Sequence, residues 1–229
     1  MLDADAPVTD AKGHRARLRA RLFADAEGLH DHELIEYLLA VALPRQDTKD
    51  LAKRLLHEFG GIGGLLAADA QSLMRVKGMG DVTAAAIKIA HATSIRLVRA
   101  RTREAPLLSN WQALRDYLHA ALAHDTIEQF RVLHLNTRNM LIRDEQMSRG
   151  TIDEAAVHVR EVIKRALEIG SAALILVHNH PSGDPSPSRA DIDITRAIVA
   201  AGKPLNITVH DHIIVGAAGQ VSLRAKGLI

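Results

Sequence analysis

The sequence predicts two unlike halves, a small all-helical domain followed by an α/β domain. Three observations predict this. Up to about residue 103, apolar residues recur at helical spacing and no segment alternates with period two. Beyond Pro106 alternation begins, first in Phe130-Arg131-Val132-Leu133-His134-Leu135. Ala172 to Val177 is a continuous apolar run, the texture of a strand covered on both faces. The predicted division is a mobile tail at 1–10, a helical domain at 11–101, a polar linker at 102–106 and the α/β domain at 107–229.

In the first half, Leu34, Ile35, Leu38 and Leu39 mark a helix that Pro44 ends. Asp47 or Thr48 can cap the next, which carries Leu51, Leu55 and Leu56 and stops at Gly60-Gly61. A short helix near Leu65 and another from Asp69 follow, and a longer one opens after Gly80 through Ala84, Ile87 and Ile95. In the second half, Asn110 can cap a helix through Leu114 and Leu118. The strand from Phe130 turns at Asn136–Asn139 and returns as Met140-Leu141-Ile142-Arg143. A helix spans Ala155–Ile169, the buried strand follows, and a Pro/Gly/Ser loop leads from Pro181 to Ser188 into a helix over Arg189–Ala201. Ile207-Thr208-Val209, Ile213-Ile214-Val215 and Val221-Ser222-Leu223 read as three short strands.

Apolar residues make up 47% of the chain and charged residues 24%, ordinary for a globular protein with a packed core. There is no cysteine, so disulfides are excluded and a metal must be held by His, Asp or Glu. No apolar run is long enough to span a membrane, and the first ten residues lack the basic-then-apolar order of a secretory signal. The expected location is the cytoplasm. Residues 11–105 hold sixteen Lys and Arg against eleven Asp and Glu, so a polyanion would meet the first half.

His178 and His180 stand two apart at the end of the buried strand, where side chains at i and i+2 share a face. Asp191 opens the next helix. The loop between holds three prolines and a glycine, stiff enough to fold that helix start back beside the strand end. Two His and one Asp leave a fourth position open, the pattern of a catalytic zinc. The competing reading of these residues is a surface His-x-His with Asp191 as a helix cap.

Read as His-x-His-Pro, six residues, Ser188, two residues, Asp191, the string resembles the JAMM signature of MPN-domain metallohydrolases. The stretch from His178 to Asp191, with the later Asp211-His212-Ile213-Ile214-Val215-Gly216, is similar to the bacterial RadC family, and the resemblance covers nearly the whole chain. It implies a mixed sheet flanked by helices and one zinc held by His178, His180 and Asp191. Ser188 would then stabilise an oxyanion, and a glutamate would serve as general base and acid in amide or isopeptide hydrolysis of a protein or peptide. Glu128, just before the Phe130 strand, matches the family's glutamate; Glu145 and Glu161 are the other candidates, and chemistry alone does not choose. Glu161 lies in Val159-Arg160-Glu161, where the family usually has Pro-Arg-Glu. Asp211 and His212 also match, as residues that would orient a zinc-bound histidine from behind. His210 departs from the expected Leu and forms a second His-x-His, which reads as a substitution at the sheet edge or as a second ligand pair.

Leu73 to Ile87 resembles a helix-hairpin-helix motif. Gly78 and Gly80 permit a turn that bares backbone N–H groups at a helix start, and Lys77, Thr83 and Lys88 would join them on a DNA phosphate without reading bases. The competing reading is a glycine turn between core helices. The resulting expectation is a zinc metallohydrolase tethered to nonspecific DNA. A non-catalytic DNA-associated protein that retains the metal site is the alternative. A metal-dependent nuclease fits less well, because nucleases gather carboxylates around Mg²⁺ or two metals.

Overall fold

The computed structural model describes residues 11–102, 106–150 and 157–229. The expected tail at 1–10 and most of the expected linker lie outside the described residues. The chain forms two compact units, 1–91 and 92–229.

The first unit is helical. It contains α1 (Ala11–Ala24), α2 (Asp31–Ala42), α3 (Lys49–Glu58), α4 (Ile62–Ala67), α5 (Ala70–Arg75) and the start of α6 (Asp81–Arg101). One apolar face of each of α2 to α6 meets in a core of Ile35, Leu39, Leu51, Leu55, Leu65, Leu73, Ala84 and Ile87. Asp69 caps α5 by accepting the N–H groups of Gln71 and Ser72. The step from α5 to α6 needs Gly78, whose φ is +99°.

The second unit is a five-stranded sheet between helices. After the end of α6 come α7 (Trp111–Leu122), β1 (Glu128–Leu135), β2 (Leu141–Gly150), α8 (Val159–Ile169), β3 (Ala173–Asn179), α9 (Arg189–Gly202), β4 (Thr208–Gly216) and β5 (Gly219–Ser222). The strand order is β2-β1-β3-β4-β5. Only β3 and β4, joined through α9, run parallel; the other neighbours are antiparallel. Period-two alternation assigns the faces. Leu174 and Leu176 pack with Val162, Ala166 and Ile198 from α8 and α9. Ile175 and Val177 pack with Leu114 and Leu118 from α7. Gly170, left-handed at φ 73°, ends α8 and lets the chain turn into β3. No helix among the described residues is long and apolar enough to cross a membrane.

Two sequence expectations change. The two strands expected at 207–209 and 213–215 are one strand, β4. Its register against β3 passes from Leu174–Val209 to Ile175–Asp211, so His210 is an extra, bulged residue. The polar His210-Asp211-His212 stretch hides the strand from a periodicity search. The bulge also reverses which residues face which side: Val209 packs toward α8 and α9, whereas Ile213 packs toward α7. In addition, β2 is much longer than expected, and Glu145 lies in its middle opposite Val132. As an edge strand with Arg143, Asp144, Glu145 and Arg149, β2 lacks an apolar alternation to read.

Beneath that edge, His134 of β1 is fully buried, with Nδ1 2.9 Å from Ser171 Oγ and Nε2 3.5 Å from Glu145. Burial pushes its pKa down to about 4, against the pull of Glu145. The unfolded chain then takes up a proton that the folded chain does not, between the usual histidine value near 6.5 and that lower value. Stability from this residue is therefore full above pH 6.5 and is lost as pH falls toward 4, by up to about 3 kcal/mol. Urea unfolding of the metal-free protein from pH 7 to 4.5 should show this slope, and His134→Gln should flatten part of it. Equal slopes in the two proteins would place the acid sensitivity elsewhere.

Candidate metal centre

β3 alternates its last residues as it does its first. His178 continues the Leu174–Leu176 face, beneath α9, while Asn179 turns to the α7 side. His180 follows the strand end, its N–H held by the carbonyl of Val215 at 2.8 Å. Asp191 sits in the first turn of α9. The helix starts with a reciprocal cap: Ser188 N–H donates to Asp191 Oδ2 at 2.6 Å, and Asp191 N–H donates to Ser188 Oγ at 3.2 Å.

These three side chains converge. His178 Nε2 lies 3.5 Å from Asp191 Oδ1, and His180 Nε2 lies 3.6 Å from Asp191 Oδ2. One donor atom from each residue falls within 4.8 Å of the others. Four donors around a zinc at its usual bond lengths stand about 3.3 Å apart, so the two measured separations fit a tetrahedral ion. His180 Nδ1 lies 2.8 Å from the Asp184 carbonyl, which can only accept; Nδ1 therefore carries the proton and Nε2 presents a lone pair. Among the described residues no other His, Asp and Glu group of this kind occurs.

The electrostatics suit a cation. His178 is pushed down to about 4 by burial and is neutral at pH 7. Burial alone would raise Asp191, but the imidazoles of His180 and His178 beside it and the bonds to Ser188 outweigh it and hold the carboxyl well below its usual range. The Asp191 carboxylate beside it raises His180.

Of the three glutamates, Glu128 reaches this cluster. Its Oε1 lies 3.5 Å from His178 Nε2, and it lines a cleft of about 220 Å³ with Phe130, Ser148, His178, Ala190 and Asp191. Burial raises its pKa, with Asp191 adding to that and His180 opposing it. Glu145 is instead held by Arg165 at 2.7 Å. Glu161, in the first turn of α8, pairs with Arg160 at 3.2 Å. Ser188 is an exposed residue at the start of α9.

Asp211 and His212 separate. His212, fully buried, puts Nε2 3.4 Å from His178 Nδ1. Asp211 points away and accepts from its neighbour's N–H, from Arg224 N–H and from the Ser222 hydroxyl, which ties the bulge to the chain end. His210 does not join a metal cluster; its Nε2 lies 2.8 Å from Asn139 Oδ1 in the β1–β2 turn.

Two contributors were invisible in the sequence pattern. Asn179, 1% exposed, accepts the Gln129 N–H at 2.8 Å and donates to the Ile127 carbonyl at 3.1 Å, so it grips the chain on both sides of Glu128. Thr195, one helical turn after Asp191, lies 2.6 Å from His212 Nδ1. An i, i+4 spacing from a ligand on a helix was the available signal for Thr195.

With this geometry in hand, comparison with known proteins is direct. Residues 108–228 match the RadC-like JAB domain. The chain belongs to the RadC-like JAB family. The JAB domain so defined contains the whole cluster. Residues 13–85 match the UPF0758 N-terminal family. A UPF0758 protein of Rhodobacter capsulatus is 51% identical over 213 residues, 93% of this chain and 100% of that protein. A UPF0758 protein of Ruegeria pomeroyi is 47% identical over 219 residues, 95% of this chain and 98% of that one.

Outside the JAB domain, the residues expected on a DNA phosphate divide. Lys77 and Gly78 are exposed. Thr83 is buried and its Oγ1 takes the Gly80 N–H at 2.8 Å, closing the α6 start that a phosphate would have used. Lys88 donates to the carbonyls of Leu66, Ala67 and Ala68, completing the end of α4. Gly80, Thr83 and Lys88 are thus already engaged within this unit, Gly80 and Thr83 by each other and Lys88 by three carbonyls. Arg15 and Arg21 of the basic α1 are likewise engaged, by carbonyls at 43–46 and by Glu33.

Proposed function

We propose that this protein is a zinc-dependent metallohydrolase that cleaves an amide or isopeptide bond in a protein or peptide. The observation that carries the reading is the convergence of His178, His180 and Asp191 with the Glu128 carboxyl 3.5 Å from His178 Nε2.

The donor set of two imidazoles and one carboxylate fits zinc and would leave one position of a four-coordinate set for water or substrate. Zinc held there would supply Lewis acidity toward a carbonyl and make a water acidic near neutral pH. Glu128, lining the same cleft as His178 and Asp191, would accept a proton at its carboxylate from an attacking water and return it to the leaving nitrogen. Burial raises its pKa above the ordinary carboxylate value, which eases the uptake of that proton. Ser188 Oγ accepts the Asp191 N–H, which leaves its own proton free to donate to the developing oxyanion. Asn179 keeps Glu128 in place by holding the backbone around it.

Nucleic acid enters this reading through the helical unit alone. Exposed Lys77, Arg75 and Lys53 would meet phosphates nonspecifically and in a salt-sensitive way. Nothing in that unit selects DNA over other polyanions.

The test is a Glu128→Gln variant assayed on a peptide library and used to trap substrate. It should bind zinc as the wild type does and lose turnover by roughly 10²–10⁴-fold. Unchanged turnover would remove Glu128 from this role. A folded wild type that takes up no zinc would overturn the reading itself.

A further inference from the structure

Thr195 has one hydroxyl proton and two close neighbours. One is the Asp191 carbonyl, a turn earlier on α9. The other is His212 Nδ1 at 2.6 Å. The carbonyl can only accept, whereas the ring nitrogen can donate or accept. Only one assignment puts a proton in both contacts: the hydroxyl donates to the carbonyl, and His212 Nδ1–H donates to the hydroxyl oxygen.

That choice fixes the next contact. With its proton on Nδ1, neutral His212 has a bare lone pair on Nε2. This atom faces His178 Nδ1 at 3.4 Å. Two bare nitrogens would repel, so His178 Nδ1 carries the proton. His178 Nε2 is then the bare nitrogen, and it is the atom that faces Asp191 and Glu128. All the participants are buried: His178 is 3% exposed, Asp191 8%, and Thr195 and His212 are fully enclosed. Water therefore has little access to offer other partners.

We infer that Thr195 is a positioning residue for the metal centre: through His212 it locks His178 into the tautomer whose Nε2 lone pair points at the metal position. The inference rests on the metal reading for its purpose, and in the metal-free chain it requires the Thr195–His212–His178 contacts to outweigh the pull of the Asp191 and Glu128 carboxylates on a proton at His178 Nε2. The bonds form a ring. Asp191 supplies a carboxylate to the site from its side chain and, from its carbonyl, orients Thr195, which sets His212, which sets His178. Two of the three ligands are thus aligned by a single turn of α9. His180 takes its orientation separately, from the Asp184 carbonyl.

Removing the hydroxyl has a definite consequence. With valine at 195, His212 Nδ1 has no acceptor, and His212 gains by moving its proton to Nε2, where His178 Nδ1 can accept it. His178 is then driven to carry its own proton on Nε2, where the lone pair is needed. Serine at 195 keeps the hydroxyl and should keep the wild-type arrangement.

The experiment uses metal-free, full-length, ¹⁵N-labelled protein and long-range ¹H–¹⁵N correlation of the imidazole rings. Wild type and Thr195→Ser should show His178 and His212 protonated on Nδ1. Thr195→Val should show protons on Nε2 of both. Zinc affinity, measured by competition with a chromogenic chelator, should fall by roughly 10–100-fold in the valine variant and change little in the serine variant. His178 protonated on Nε2 in the wild type, or an unaltered tautomer in the valine variant, would overturn the inference. A wild type that binds no zinc would overturn the metallohydrolase reading, and the tautomers would still decide this one.

Discussion

Replacing His180 by alanine should weaken zinc binding by roughly 100-fold or more, while the metal-free protein keeps its stability to within about 1 kcal/mol. Changes behind a metal ligand already cost roughly 10–100-fold in affinity, and loss of a ligand exceeds that. His180 is the best of the three ligands to remove, because the fold asks least of it. Its side chain is 19% exposed and its other hydrogen bond is to the Asp184 carbonyl in the loop. Asp191, by contrast, also caps α9. His178 is also His212's neighbour in the core. Thermal or urea unfolding with and without zinc checks the difference. At a free zinc concentration 100 times its dissociation constant, the wild type gains about 2.7 kcal/mol. The variant at the same concentration should gain less than about 0.5 kcal/mol. Equal gains would mean that the stabilising metal binds elsewhere on the chain.

Gly216→Ala should disturb the same centre without touching a ligand. A methyl group there would stand 2.3 Å from the Gly183 carbonyl oxygen and 2.7 Å from its carbon. Both are backbone atoms, so the loop must lift. That loop is seated by three hydrogen bonds, from His180 N–H to Val215, from Gly183 N–H to His180 and from Ala218 N–H to Gly183. It carries His180 near one end and Ser188 at the other. We expect a stability loss of about 1–3 kcal/mol from overpacking and a fall in zinc affinity of roughly tenfold or more from the displaced ligand. Gly80→Ala is the control, since nothing lies within 4 Å of a methyl group there. It should leave both quantities as they are. A Gly216→Ala protein with wild-type zinc affinity would show that the loop seat does not set the ligand geometry.

Much of the fold was legible because the buried elements carry their own period. Leu51 and Leu55 mark the inner face of α3, and Ala173 to Val177 can only be an enclosed strand. The cluster was legible because its spacing is local: two histidines on one strand face, a stiff loop, and an aspartate at a helix start. What stayed hidden depends on contacts distant in sequence. The family resemblance favoured Glu128 over Glu145, but a physical reason for the choice needed the sheet register, which sets Phe130 beside His178 and places Glu145 near Arg165 instead. The positioning parts played by Asn179 and Thr195 arise where strand, loop and helix meet, and neither residue type announces them. At 77–88 the glycine turn was read correctly as a turn, yet Thr83 and Lys88 looked free because their backbone acceptors could not be seen from sequence.

The extra residue in β4 has a further consequence for how this domain tolerates change in length. Counting from Val209, His212 meets His178 and Ile213 enters the opposite core layer because the pairing with β3 skips His210. A one-residue deletion at the bulge would leave plain alternation from Val209 onward, with His212 still on the face of His178 and Ile213 and Val215 still in the layer beneath α7. An added residue has no such slack: it would carry the side chains of one face onto the other, against the chemistry of one and the packing of the other. Length variation among such domains is expected to collect instead in the turns, where no face depends on the count.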